Sequence, residues 1–239
     1  MGECYLRCVG ATGGYLVAFS FKERFRPEWF DPGYLGDGAV PVAKGGRGAA
    51  WFFRVGEDNL VLRHFHRGGV PGRFIQKAYI FTGADSVRSF VEFKLLDQLF
   101  RRGLPVPEPV AAGYSLGGKL IYRAFIIVRR IQGARPLSEF ASASCVATWH
   151  AAGSCVRKFH DAGVFHADLN CMNILVADQV YLIDFDRGRM MLEDGREGWK
   201  LSNIRRLERS VNKVLGYLPP LLRAQLWQSF LNGYHGVDQ

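Results

Sequence analysis

The sequence is poor in cysteine and has no apolar run long enough to cross a bilayer. Its five cysteines, Cys4, Cys8, Cys145, Cys155 and Cys171, are odd in number and scattered, with no CxxC pair and no histidine at zinc-ligand spacing. That pattern excludes a disulfide framework and a zinc module, and it implies reduced thiols in a cytosolic protein. No window approaches the ~18 uninterrupted apolar residues of a spanning helix, and MGECYLRCVGATGG lacks the basic stretch and apolar core of a secretory signal. Leu6 stands where a myristoylated N-terminus needs Ser or Thr, so any membrane association is expected to be peripheral. Internal repeats, low-complexity tracts and the GK[ST] of a Walker loop are also missing. Acidic residues are in the minority, 22 against 31 Lys and Arg, and the resulting net charge of +9 points to anionic partners. Charge alone leaves nucleic acid, phosphorylated small molecules and acidic membrane surfaces open, but no nucleic-acid-binding motif accompanies it.

What is present divides by texture near Pro136. Before it, short apolar runs separated by glycine-rich turns (Trp51-Phe52-Phe53, Leu60-Val61-Leu62, Val106 to Ala112, Leu120 to Val128) predict strands. One helix interrupts them from Ser86 to Arg102, with Val87, Phe90, Val91, Leu95, Leu96 and Leu99 as its apolar face and Gly103 as its stop. After Pro136, longer periodic segments predict helices over Ser144 to Asp161, Asn203 to Leu218 and Leu221 to Leu231. The expected architecture is α+β, with a β-rich nucleotide-binding lobe over residues 1–133 and a helical catalytic lobe over 134–239.

The segment GVFHADLNCMNILVADQVYLIDFDRGRM, Gly163 to Met190, sets carboxylates and amides among two strand-like runs, Ile174-Leu175-Val176 and Tyr181-Leu182-Ile183. His166-Ala167-Asp168 with Asn173 five residues on has the spacing of a kinase catalytic loop. In that loop the Asp accepts the proton of the acceptor hydroxyl and the Asn holds a metal ion. Asp184, in Asp184-Phe185-Asp186 after the second run, is the expected second metal ligand, and the hard oxygens of Asn173 and Asp184 suit Mg²⁺. Singly, each has a plainer reading: Asp168 capping a turn, Asn173 in a left-handed position, Asp184 ending a strand. Upstream, Gly45, Gly46, Arg47 and Gly48 lie between strand-like segments, where backbone N–H groups could approach ATP phosphates or where glycine could simply serve a hairpin. Arg63 ends the run Asn59 to His64 as a candidate phosphate ligand, and Glu92, flanked by apolar residues in the following helix, is its candidate partner.

With these residues in view, the chain resembles the protein-kinase-like superfamily and, more closely, the bacterial Kdo kinases, which phosphorylate the 3-deoxy-D-manno-octulosonic acid (Kdo) sugar of a lipid A precursor. The resemblance is carried by Gly45 to Trp51, Leu62 to Gly69, Arg102 to Pro107, His166 to Asn170 and Leu182 to Arg189. It implies a two-lobed fold in which an antiparallel sheet with one helix precedes a reduced helical lobe. It also implies ATP and Mg²⁺ as cofactors, transfer of the γ-phosphate to the sugar 4-hydroxyl, and a lipid-linked Kdo acceptor. The implied location is peripheral, at the anionic cytoplasmic face of the bacterial inner membrane, with neither an obligate protein partner nor nucleic acid.

Departures from the protein-kinase pattern narrow the acceptor. Ala167 replaces the arginine that in many protein kinases receives a phosphorylated activation loop. The 55 residues after Asp184 carry no Ala-Pro-Glu motif, which favours a small or lipid acceptor over a peptide. Asp186 stands where glycine is usual, as a further metal ligand or a partner of Arg187 or Arg189, and Arg63 stands where lysine is usual. Two basic groups, Arg63, Arg67 and Arg73 with His64 and His66, and Arg205, Arg206 and Arg209 on one late helix, are expected to meet an anionic acceptor or lipid. Trp29, Phe30 and Tyr34 serve either as interfacial anchors or as an N-terminal core. The competing functions are a kinase of another acceptor and a binding protein without chemistry; the joint presence of Asp168, Asn173 and Asp184 argues against the latter.

Overall fold

The computed structural model describes residues 4–42, 50–65, 79–118, 121–192 and 197–237. Internal contacts divide the chain into two units, Met1–Asp97 with Glu108–Arg130, and Gln98–Pro107 with Ile131–Gln239.

In the first unit the apolar runs become an antiparallel sheet of eight strands: β1 (Tyr5–Gly10), β2 (Gly13–Ala18), β3 (Val40–Pro41), β4 (Ala50–Val55), β5 (Asp58–His64), β6 (Tyr79–Ile80), β7 (Pro109–Leu116) and β8 (Ile121–Arg129). The order is β1-β2-β7-β8-β5-β4-β3, with β6 also paired to β8. The β1–β2 hairpin is unheralded in the sequence because five of the six β1 residues are exposed, so no apolar alternation marks it. On β5 the two-residue period sends Leu60 and Leu62 into a core with Phe53, Trp29, Val110 and Ile127, and turns Arg63 to the opposite face. Trp29 is buried and Phe30 packs against the same core, while Tyr34, on the short helix α1 (Pro32–Leu35), is exposed. The N-terminal aromatics are thus mainly core.

Helix α2 (Arg88–Arg101) begins two residues later than the pattern suggests, after a 3-10 turn over Ala84–Ser86. Phe90, Phe93, Leu95, Leu96 and Leu99 are buried, as is Val87 just before the helix, so the expected apolar face holds except at Val91, which faces out at 42% exposure, and it gains Phe93. Ser89 Oγ donates to the Gly113 carbonyl at 2.8 Å, and Phe90 meets the Tyr114 ring edge-on at 5.3 Å, fixing the helix on the sheet. Gly103 (φ 72°) closes it: the Gly103 and Leu104 N–H groups donate to Phe100 and Leu99 carbonyls at 2.9 and 3.1 Å, the paired reverse bonds of a left-handed helix stop.

The second unit is built on α3 (Val146–Asp161) and α5 (Pro220–His235). They approach through glycine. A Cβ on Gly153 would lie 1.9 Å from the Phe230 carbonyl oxygen, and one on Gly233 would lie 2.0 Å from that of His150. Beside them β9 (Arg135–Pro136), β11 (Ile174–Val176) and β12 (Val180–Leu182) form one small antiparallel sheet. A second ladder joins β10 (Val164–Phe165) to β13 (Arg189–Met190). Helix α4 (Gly198–Val214) starts five residues before the predicted Asn203, and α5 extends the predicted Leu221 to Leu231 at both ends. No helix among the described residues is long and apolar enough to cross a membrane.

Candidate active site

The loop between β10 and β11 is ordered by polar side chains, its own and those of α4. The buried His166 imidazole accepts the Asp168 N–H on Nδ1 at 3.2 Å and donates from Nε2 to the Ile183 carbonyl at 2.9 Å. Both partners are backbone groups of fixed polarity, so they dictate the neutral ring with its proton on Nε2. Burial holds this imidazole below its ordinary range, consistent with that neutral form. Asn173 Nδ2 donates to the Asp168 carbonyl at 2.9 Å, and the Asn173 carbonyl accepts the Ile183 N–H at 3.0 Å. One asparagine thereby ties Asp168 on one side to the backbone leading into Asp184 on the other. Its amide nitrogen is committed to the Asp168 carbonyl.

Asn170 completes the turn. Its Nδ2 donates to the Asp168 carbonyl at 2.9 Å and to Asp168 Oδ2 at 3.2 Å, while its Oδ1 accepts the Met172 and Asn173 N–H groups. Beyond β12, Asp184 (φ 64°) and Arg187 (φ 60°) are the two non-glycine residues with left-handed backbone among the described residues. The turn closes through the Gly188 N–H and the Phe185 carbonyl at 2.7 Å. The positive φ falls on Arg187 and not on Asp186, so position 186 tolerates a carboxylate where glycine would be usual. Phe185 is fully buried, stacked on Phe159 at 5.8 Å and against His166 at 4.8 Å, which anchors the backbone that carries Asp184.

Helix α4 supplies what spacing did not predict. Asn203, 2% exposed, accepts the His166 N–H on Oδ1 at 3.2 Å and donates from Nδ2 to the His166 carbonyl at 3.0 Å. Arg206 Nη1 donates to Asp168 Oδ1 at 2.7 Å, and Ser210 Oγ accepts the Cys171 N–H at 3.3 Å. Asn203, Arg206 and Ser210 recur at helical spacing along one face of α4. A single face therefore runs along the catalytic loop. Arg206 belongs to this site and not, as its neighbours in sequence suggest, to an outward basic cluster with Arg205 and Arg209.

In the first unit, Arg63 on β5 is paired with Glu92 on α2. Glu92 is 2% exposed, a burial that a carboxylate tolerates only when its charge is met. The Arg63 guanidinium also lies over the Phe65 ring at 4.9 Å. His64 is a packing residue: it sits between Trp51 and Phe125, each 4.7 Å away, and bonds the Phe30 carbonyl at 2.9 Å. Gly45, Gly46, Arg47, Gly48, His66, Arg67 and Arg73 lie outside the described residues.

A family model described as the lipopolysaccharide kinase (Kdo/WaaP) family matches residues 37–234. The chain belongs to this family. It is 42% identical over 209 residues to a 3-deoxy-D-manno-octulosonic acid kinase of Xanthomonas axonopodis pv. citri, covering 85% of this chain and 83% of the relative. To the enzyme of the same name from Stenotrophomonas maltophilia it is 42% identical over 220 residues, covering 90% and 87%. The fold is similar to that of WaaP solved in complex with acyl carrier protein, with a TM-score of 0.57, 16% identity, and coverage of 93% of this chain and 88% of that one. The protein is a phosphotransferase of protein-kinase-like α+β fold. In this Kdo/WaaP-family kinase, Asn203 and Ser210 were invisible to motif spacing, because they act on the loop from more than thirty residues away. The one signal was polar residues placed on an otherwise apolar-facing helical stripe.

Proposed function

We propose that the protein transfers the γ-phosphate of ATP to the 4-hydroxyl of a Kdo sugar on a lipid A precursor, in lipopolysaccharide core assembly. The observation that supports this reading is the double tie of Asn173, to the Asp168 carbonyl at 2.9 Å and to the Ile183 N–H at 3.0 Å, which links Asp168 to the backbone leading into Asp184 in a chain of the Kdo/WaaP family. Asp168 takes the proton of the acceptor hydroxyl as that oxygen bonds to the γ-phosphorus. The bond from phosphorus to the β,γ-bridging oxygen breaks, and ADP leaves. Asn173 Oδ1 and the Asp184 carboxylate are an amide oxygen and an anionic oxygen, the hard donors that suit Mg²⁺, which needs only one or two protein ligands. When bound there, the ion neutralises charge on the phosphates. Arg63, paired with Glu92, is assigned to the nucleotide phosphates from sequence, as are the glycine-rich Gly45, Gly46, Arg47 and Gly48.

A lipid-linked acceptor requires the enzyme at a membrane, and the excess of Lys and Arg supports peripheral binding to the anionic cytoplasmic face of the inner membrane. The test is transfer from labelled ATP, with Mg²⁺, to Kdo-bearing lipid A precursor set beside generic protein acceptors. Label should enter the Kdo sugar. Label in protein and none in the lipid would overturn the acceptor assignment.

A further inference from the structure

The contact between Arg206 and Asp168 joins α4 to the loop, whereas the other arginine–carboxylate pairs described in the second unit, Arg135–Glu139 and Arg157–Asp161, are each four residues apart in sequence. Arg157 Nε reaches both Asp161 oxygens, at 2.7 and 2.8 Å, across one turn of α3. Arg206 instead gives a single Nη1 to a single oxygen, Asp168 Oδ1, while Asp168 Oδ2 is met by Asn170. Each carboxylate oxygen of the base thus has one donor, from a different element, and retains lone-pair capacity for a hydroxyl proton. The guanidinium carries five N–H donors in a planar fork, and Asp168 takes one of them. Its side chain is 47% exposed, whereas Asn203 on the same face of α4 is 2% exposed. The α4 face is therefore sealed against the loop at Asn203 and open at Arg206.

The catalytic loop itself provides no positive charge. Between Asp168 and Asn173 stand Leu169, Asn170, Cys171 and Met172, so the cation beside the base comes from α4. A second anion approaching Asp168 from solvent would meet the edge of Arg206 that Asp168 does not use. An octulosonic acid presents such an anion. Its carboxylate sits on the anomeric carbon, and the 4-hydroxyl sits two ring carbons away, so one guanidinium can touch both the base and the carboxylate while the hydroxyl points at the base.

We propose that Arg206 binds the carboxylate of an acidic sugar acceptor beside Asp168, and so makes the enzyme select acidic over neutral acceptors. The proposal rests on the Kdo-kinase reading. A charge-assisted hydrogen bond of this kind corresponds to roughly 10- to 100-fold in discrimination. A merely structural ion pair at this exposure would not alter acceptor choice.

The experiment uses the full chain with labelled ATP and two acceptors: Kdo-bearing lipid A precursor, and the same lipid with the Kdo carboxyl blocked as its methyl ester. The wild-type enzyme should lose about 10- to 100-fold in kcat/KM on the ester, mostly through KM for the acceptor. Arg206→Gln should use acid and ester alike, with KM for the acid acceptor raised and KM for ATP unchanged, and Arg206→Lys should keep part of the preference. Equal use of acid and ester by the wild-type enzyme overturns the proposal whether or not any variant folds, as does a preference that survives in Arg206→Gln. Failure of the wild-type enzyme to label the acid acceptor at all overturns the Kdo-kinase reading instead, and the proposal with it.

Discussion

At Asp168, the proposed base, the two side-chain oxygens are held by Arg206 and Asn170, and its N–H by His166, so the side chain has little freedom left. Asp184, the proposed metal ligand, is set apart from it by backbone, on a left-handed residue anchored through Phe185. The two aspartates should therefore fail differently. Asp168→Asn keeps the shape and the hydrogen-bonding oxygen but removes the proton acceptor, and phosphoryl transfer should drop by about 10²–10⁴-fold with nucleotide affinity intact. Asp184→Asn should weaken nucleotide binding in a way that depends on Mg²⁺ concentration. Titration of nucleotide at fixed Mg²⁺ separates them, and identical affinities in the two variants would contradict the assigned roles.

Among the elements, α4 has the largest share in shaping the site, and its register on the loop is enforced by a buried polar chain. Tyr234 of α5 meets His160 Nδ1 of α3 at 2.7 Å, and His160 Nε2 meets Asn203 Oδ1 of α4 at 3.4 Å. Asn203 in turn grips the His166 backbone. Burial, only partly offset by the Asn203 bond, lowers the His160 pKa from 6.5 to about 4. The unfolded chain therefore takes up a proton there at a pH where the folded chain does not. The contribution of His160 to stability is whole above about pH 6.5 and is lost as pH falls toward 4, by up to about 3 kcal/mol. Denaturant midpoints measured from pH 7.5 down to 5 should fall more steeply for the wild-type protein than for His160→Gln. Parallel slopes would show that this network does not carry the acid sensitivity.

For the molecule as a whole, the proposed function gives the charge of +9 two expected uses. Arg206 is spent on the catalytic loop, while Arg205, Arg209 and Lys213 remain exposed on α4 at four-residue spacing. Each basic residue close to an anionic bilayer contributes about 1 kcal/mol, screened over about 8 Å at physiological salt. The enzyme should sediment with vesicles containing anionic lipid at low salt and be released as salt rises. Replacing Arg205, Arg209 and Lys213 by Gln should weaken sedimentation by roughly 3 kcal/mol with nucleotide binding retained. Equally strong, salt-indifferent sedimentation with neutral vesicles would remove electrostatics from the account.

What the sequence by itself determined is local. His166, Asp168, Asn173 and Asp184 fall within nineteen residues, and the bonds from His166 and Asn173 to Asp168 run between near neighbours in the chain, so spacing alone proposes them as a group. Apolar runs located β4, β5, β7, β8, β11 and β12 and helices α2 to α5, whereas the β1–β2 hairpin, with β1 exposed, and the two-residue strands β3, β6, β9, β10 and β13 were not read from them. Arg63 and Glu92 were legible because a charge among apolar neighbours demands a partner. The tertiary structure alone decided which residues of α4 meet the loop. A helix turns by about 100° per residue, so Arg205, Arg206 and Arg209 are alike as sequence, but Arg206 points away from the face that Arg205 and Arg209 share once the helix is docked. That docking is fixed by contacts from distant segments, His160 of α3, Tyr234 of α5 and the His166 backbone, which no local period encodes.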